Sequence, residues 1–369
     1  MPTPRFDSIR DVPIVLERAG SPGPSFADID PSAPLHPPCS AIGGACSLSW
    51  NSMTGIARHQ ASDPDEFASA LAGWSQDYTQ LGRGRLQGEL LQVALPDASL
   101  IYERSNLHMH ENMSPPRDQV VIAIPLSLSG EPLFNGQRLS RDTLVLLRGG
   151  EEVEISAPGD FCTIGLTLGP RLLAQELRAE EPDLLERALS RHLLPLSPQA
   201  AQGLRENLCG SLGAFAREEW CLSDPRRANG AALSALEQVL QVIFGALRSP
   251  VPHTPGTPRA LQQRRRLVLA AIEYMQQDLS QPLSLQELCD NLHTSQRTLQ
   301  YCFRQICQTT PQQFFLALRL AEARRRLKQE PQQSITHLAL DLGFASSSHF
   351  SSLYKRLYAE QPSLLVRQR

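Results

Sequence analysis

Between Leu283 and Phe303 the apolar residues fall three or four apart: Leu285, Leu288 and Leu292, then Leu299 and Phe303. That period predicts two short amphipathic helices. Ser284, with Glu287 three residues later, has the sequence of a capping box for the first helix. Ser295 caps the second, which runs to about Ile306, and the turn lies near His293 and Thr294. The plan repeats about fifty residues on, from Ser334 to Tyr354. Ile335, Leu338, Ala339 and Leu342 form the inner face, Gly343 supplies the turn, and Phe344, Phe350 and Tyr354 are the anchors. Each repeat is a helix-turn-helix pattern. The connector, Pro311 to Glu330, reads as one helix of about 18 residues, or about 27 Å. That can hold the two second helices about one DNA turn, roughly 34 Å, apart. Its Arg319, Arg324, Arg325, Arg326 and Lys328 add positive charge, on a face that is either solvated or set against DNA.

The N-terminal half has a different rhythm. Partial alternation from Arg85 to Leu95 and short apolar runs at Val120–Leu128, Thr143–Leu147, Glu152–Ile155 and Phe161–Leu168 predict strands. Ser129-Gly130, Asn135-Gly136, Gly149-Gly150 and Pro158-Gly159 separate them as turns. Short strands at this spacing point to a small sandwich or barrel. Arg171 to Arg248 reads as helix, ending in a stripe of Leu233, Leu236, Leu240, Ile243 and Leu247 that packs on the barrel or on a second subunit. The fold class expected is α+β: a cupin-like small β-barrel with helices, then an all-α tandem helix-turn-helix domain.

Proline marks the boundaries. Four prolines in Ser249–Pro258 exclude helix and central strand, so the linker is placed at 249–260. Nine prolines in the first 40 residues make residues 1–52 a disordered extension, or a segment upstream of a true start at Met53. Residues 53–248 then form the sensory or dimerisation domain, with its β region at 81–168, and 261–369 the DNA-binding domain. Asp63-Pro64-Asp65-Glu66, followed by Phe67, Leu71 and Trp74, predicts a helix near the start of the sensory domain.

Net charge is only −3, but from Arg259 onward there are 15 Lys and Arg against 8 Asp and Glu, leaving 20 against 30 for the remainder. A basic end on an acidic body fits a nucleic-acid module joined to something else. The eight cysteines form no CxxC pair and read as reduced, buried thiols of a cytoplasmic protein, which the DNA-binding reading makes nucleoid-associated. No run of about 18 uninterrupted apolar residues is present, so no membrane partner is expected.

With Leu299 and Phe303 turned inward, the first unit presents Gln296, Arg297, Thr298, Gln300, Tyr301 and Arg304. Arg and Gln read guanine and adenine edges through paired hydrogen bonds, while Arg304 is better placed for phosphate. The second unit presents Ser347, Ser348, His349, Ser351 and Ser352, followed by Lys355 and Arg356 as phosphate contacts. The serine face discriminates less, so the first unit is expected to read sequence more stringently.

Residues Leu261 to Arg367 resemble the AraC/XylS family of bacterial transcription regulators. The resemblance is carried by Ile335, Ala339, Gly343-Phe344, Ser348-His349-Phe350, Tyr354-Lys355-Arg356 and Pro362. His293, Ala359 and Leu365-Val366 depart from the family pattern. The N-terminal half resembles regulators of the ethanolamine-operon type through Asp77-Tyr78, Gln80-Leu81, Gly84-Arg85-Leu86, Phe134-Asn135-Gly136 and Leu144–Leu147. The resemblance implies a cupin-like sensor for a small-molecule effector, and double-stranded promoter DNA, RNA polymerase and a second copy of the chain as partners. It also implies an activator of a catabolic operon. Arg85, Tyr102 and Arg104, beside the strand Val120–Leu128, are the candidate effector-binding residues. The competing reading is a ligand-independent architectural protein whose N-terminal domain only dimerises; a solid core and an exposed Leu233–Leu247 stripe would favour it. His108 and His110 share a strand face, but Glu111 points the other way and no later histidine follows, so no metal or cofactor is assigned. No phosphate loop or nucleophile elbow is found, and no catalytic role is assigned.

Overall fold

A computed structural model describes residues 55–71, 73–177, 181–217, 224–248 and 259–367. The extension expected at 1–52 lies outside the described residues. So does the linker, except Arg259 and Ala260, which already belong to a helix.

The N-terminal domain is built from β1 (Gly55–Ala61), α1 (Pro64–Ser69), β2 (Ser75–Gln80), β3 (Gly88–Leu95), β4 (Ala98–Ser105), β5 (Met109–Ser114), β6 (Val120–Leu128), β7 (Leu133–Phe134), β8 (Gln137–Arg138), β9 (Thr143–Arg148), β10 (Val153–Ala157), β11 (Phe161–Leu168), α2 (Pro170–Glu176), α3 (Glu181–Leu189), β12 (Leu193–Pro195), α4 (Pro198–Arg217) and α5 (Pro225–Arg248). The strands form two antiparallel sheets: a large one ordered β1-β3-β4-β11-β6-β9-β12 and a small one ordered β2-β5-β10-β7-β8. Hydrogen bonding does not join the sheets into one closed barrel; they face each other as in a sandwich. The expected α+β class holds.

Val120–Leu128 and Phe161–Leu168 are nearly continuous apolar runs because the large sheet is covered on both faces. Leu100, Tyr102, Ile122, Ile164 and Leu166 face α4 and α5. Ile101, Val121, Val145 and Leu147 take the opposite, odd-numbered face. The Leu236, Leu240, Ile243 and Leu247 stripe of α5 is buried in the first of these cores, not displayed. Arg226–Arg248 is long and apolar enough to cross a membrane by length and composition, but here that composition serves packing against the sheet.

The C-terminal domain comprises α6 (Arg259–Gln277), α7 (Leu285–Asn291), α8 (Gln296–Ile306), α9 (Pro311–Gln329), α10 (Ile335–Asp341), α11 (Ser347–Tyr358) and α12 (Ser363–Arg367). It has two cores. Phe303, Phe314 and Leu299 centre the first; Phe350, Tyr354 and Leu338 centre the second. Helix α9 passes between them, giving Phe314, Phe315 and Leu318 to the first and Leu320, Ala323 and Leu327 to the second. Arg319 (8% exposed) and Arg324 (6%) are therefore buried, neither solvated nor available to phosphate.

Candidate functional site: the helix pair and an enclosed cavity

Each recognition helix begins where its cap dictates. The Ser295 hydroxyl accepts from the Thr298 amide at 3.1 Å and starts α8; Ser346 accepts from the His349 amide at 3.2 Å and starts α11. Ser284 caps α7 by accepting from the Glu287 amide at 3.2 Å. The turn before α8 puts His293 at φ +48°, a left-handed conformation that a non-glycine residue adopts at a cost. The matching turn in the second unit uses Gly343 at φ +67°, where a Cβ would lie 2.0 Å from the Ser280 carbonyl oxygen. Only glycine fits both the angle and that approach.

On α8, Leu299, Cys302, Phe303 and Ile306 are buried, while Gln296, Arg297, Thr298, Tyr301 and Arg304 are exposed and Gln300 is half-buried. The Arg264 guanidinium of α6 stacks over the Tyr301 ring at 5.1 Å. On α11, Ser348, His349, Ser352, Lys355 and Arg356 are exposed, and Ser347 and Ser351 are half-buried. Arg356 also borders a cleft between the domains, opposite Arg83 and His108.

The two domains meet along a polar seam with three parts. Against the small sheet, Arg265 donates to Glu154 at 3.0 Å, and the His110 ring meets the Phe314 ring edge-on at 5.3 Å. There too, Gln308 donates to the carbonyls of Glu131 and Ser156 at 3.0 and 3.2 Å. Burial pushes Glu154 up to about 7 against the pull of Arg265, and burial takes His110 down to about 4. Gly136 (φ +75°) seats the β7–β8 turn so closely on α8 that a Cβ would lie 2.5 Å from Ile306.

In the second part, acidic α1 lies against basic α9. Arg324 donates to buried Asp63 and to Glu360, and its Nη1 reaches the Tyr354 hydroxyl at 2.9 Å. Lys328 contacts Asp63 at 3.1 Å and Glu66 at 2.7 Å; Arg325 contacts Asp65 at 3.2 Å. Burial alone would raise the Asp63 carboxyl, but the cations Arg324 and Lys328 hold it below its ordinary value. In the third part, the Gly84 amide donates to the Leu357 carbonyl at 2.8 Å, and the Gln80 amide donates to the same oxygen at 3.2 Å. The α9 cations thus serve the seam: Arg324, Arg325 and Lys328 bind the N-terminal domain, while Arg326 pairs with Glu322 within its own helix.

The three candidate effector residues do not converge. Tyr102 and Arg104 share the helix-facing side of β4, where Tyr102 is 1% exposed and Arg104 pairs with Asp160 at 2.9 Å. Arg85 lies on the seam, 3.7 Å from Glu360. A partly open space lies on the other side of β4. A cavity of about 60 Å³ lies between the sheets, lined by Leu71, Trp74, Ile101, Val121, Val145 and Ile155 among others, with Glu103 and Glu111 as its two charged residues. The Tyr78 hydroxyl donates to Glu103, and Gln76 donates to Glu111 at 3.1 Å. Sequence reading missed both carboxylates, although the alternation that turns His110 outward also turns Glu111 inward.

Exposed polar side chains on two capped helices, set on separate cores and carried by a basic domain, are the features of a DNA-binding module. A family described as "Helix-turn-helix domain" matches residues 288–368. The transcriptional activator RhaS of Pectobacterium carotovorum is 32% identical over 137 residues, covering 37% of this chain and 47% of its own. RhaS of Pectobacterium atrosepticum is 29% identical over 160 residues, covering 38% of this chain and 57% of its own. The chain thus spans about half the length of these curated relatives. A solved AraC-type DNA-binding-domain regulator from Chromobacterium violaceum is 30% identical, covering 29% of this chain and 96% of its own, with a TM-score of 0.27. Residues 288–368 are thus similar to the DNA-binding domains of AraC-type transcription regulators.

Proposed function

We propose that this protein is a ligand-responsive activator of a catabolic operon. It reads promoter DNA with α8 and α11, and it couples the N-terminal domain's state to the helix pair through the seam. The observation that carries this reading is the sorting of α8: Leu299, Phe303 and Ile306 buried, Gln296, Arg297 and Arg304 exposed. Arg297 and Gln300 are the base readers, with Gln296, Thr298 and Tyr301 beside them. Arg304, Lys355 and Arg356 bind phosphate, and Ser347, Ser348, His349, Ser351 and Ser352 form the more permissive second reading face. The activator name of the RhaS relatives supports the sign of regulation. A partly open cavity between the sheets and a buried α5 stripe favour a sensor over a domain that only dimerises.

Genome-wide footprinting of the tagged protein in its host tests the reading. Sharp occupancy beside one catabolic operon, with transcription of that operon falling on deletion, is the expected result. Diffuse, salt-sensitive occupancy under every growth condition would refute sequence-specific activation.

A further inference from the structure

Helix α6 brings a side chain to the outer face of α8 from outside the helix-turn-helix pattern itself. The Arg264 guanidinium lies over the Tyr301 ring, 5.1 Å from its centroid, and its Nη1 donates to the Gln305 side-chain oxygen at 2.7 Å. Tyr301 is 48% exposed, an unusual position for so large a ring. It lies four residues after Arg297 and three before Arg304, so the three share one stripe of the helix. Helix α8 contains no Asp or Glu, and Arg264 forms no ion pair among the described residues. Three arginines therefore gather around one exposed ring with no carboxylate to balance them. Such a cluster of like charges is stabilised when an anion arrives.

Arg264 is aimed, not loose. Leu261, one turn earlier, packs on the first core and against the Gly136 turn. The next residue, Arg265, donates to the Glu154 carboxylate and to the Glu152 carbonyl, each at 3.0 Å. Successive residues of a helix point about 100° apart, so an α6 held on the N-terminal domain by Arg265 keeps Arg264 turned toward α8. Gln305 takes one of five N–H donors, and the stacked guanidinium keeps its edge free.

We propose that Arg264 completes the first reading unit: it clamps the Tyr301 ring in one orientation and donates to a DNA backbone phosphate beside α8. A guanidinium edge matches two phosphate oxygens, and its face matches an aromatic ring, so one arginine serves both at once. A ring already held gives up less rotamer freedom on meeting a thymine methyl or a base edge. Tyr301 is then a specificity-determining residue, and Arg264 is its positioning residue. The inference rests on the base-reading role proposed above for α8 and extends that surface onto α6.

The experiment is fluorescence anisotropy of the full chain over a range of salt concentrations, on two duplexes. One is the duplex that the wild-type chain selects from a random library; the other has random sequence. Arg264→Ala should lower the slope of log affinity against log salt by about 1 on both duplexes, the loss of one phosphate. It should also reduce the preference for the selected duplex about 2- to 5-fold, the value of an exposed cation–π contact. Arg264→Lys should keep the slope. In a Tyr301→Ala background, Arg264→Ala should lower the slope and leave the preference where it was. An unchanged slope in Arg264→Ala, or a slope lost equally in Arg264→Lys, overturns the phosphate contact. An equal loss of preference in the Tyr301→Ala background overturns the clamp. Arg297→Ala separates the two levels. If it leaves the preference intact, base reading by α8 fails and this inference falls with it. If it abolishes the preference while Arg264→Ala changes nothing, this inference alone is refuted.

Discussion

Asp63→Asn tests the seam most directly. The Asp63 side chain is 2% exposed and the Arg324 side chain 7%. Removing one member of such a pair costs about 3–5 kcal/mol when the other is left alone. Arg324 keeps Glu360 and the Tyr354 hydroxyl, and Lys328 keeps Glu66, so a cost of about 2–3 kcal/mol to docking is expected. Asparagine retains the side-chain oxygen that accepts from the Asp65 and Glu66 amides at 3.0 and 3.2 Å, so α1 stays capped. The assay is hydrogen–deuterium exchange at the Gly84 amide, which is protected by the Leu357 carbonyl across the seam. At 1.4 kcal/mol per tenfold, exchange there should accelerate roughly 30- to 150-fold. The Glu66→Ala control removes an exposed partner of Lys328 and should change exchange by less than about fivefold. Wild-type exchange at Gly84 in Asp63→Asn would show that the charges do not hold the domains together.

Three further outcomes follow from the same geometry. Arg297→Ala should weaken cognate promoter binding by about 1–3 kcal/mol and leave random DNA nearly unchanged, and base substitutions under α8 should cost more than those under α11. Equal losses on random DNA, or at both half-sites, would remove the base-reading role. Ala359 ends α11 at φ +54°, so Ala359→Gly should stabilise the C-terminal domain by about 1 kcal/mol in denaturant unfolding; a lower midpoint would contradict the strain. The Glu111 carboxyl, pushed by burial up to about 8 in the folded chain and at about 4.3 unfolded, keeps its proton in the folded state alone between those values. Stability from this group is therefore full below pH 4.3 and falls as pH rises to 8, by up to about 1.4 kcal/mol per unit. Glu111→Gln should flatten that slope in urea titrations at pH 5 to 8, and an unchanged slope would place the proton elsewhere.

The helical units were legible because their signals are local. Caps at Ser284 and Ser295 and the anchors Leu299 and Phe303 lie within about twenty residues, as do the Gly343 turn and the anchors Phe350 and Tyr354 of the second unit. Strands β6, β9 and β11 were legible because both their faces are buried. Strands β1, β2 and β4 mix polar and apolar residues, and their pairing is set by partners that local sequence does not show. The helix expected to reach Trp74 stops at Ser69, and Gly73 at φ +84° turns the chain into β2. The helical span expected from Arg171 is interrupted by β12, which pairs with β9. Of the three candidate effector residues, Tyr102 and Arg104 lie on the face of β4 turned away from the cavity, and Arg85 lies outside β4. On β4, Tyr102 and Arg104 look toward α4 and α5, whereas Glu103 between them lines the cavity. A period of two makes those choices differ by one residue, and only the position of the second sheet decides between them. The α9 arginines read as spare positive charge because their acids lie some 260 residues earlier.

The seam also bears on how such a regulator is retuned. Its α1–α9 part is a row of opposite charges between α1 with its cap and one face of α9, apart from the bases read and from the cavity. Reversing Lys328 to glutamate breaks its contacts with Glu66 and Asp63, and reversing Glu66 to lysine restores the first of them, so variants there are expected as partly compensating pairs. A genetic selection for regulators with a shifted threshold should return such pairs ahead of changes in either recognition helix. Under the proposed function, sensitivity can drift along this row while specificity for operator and for effector is inherited intact.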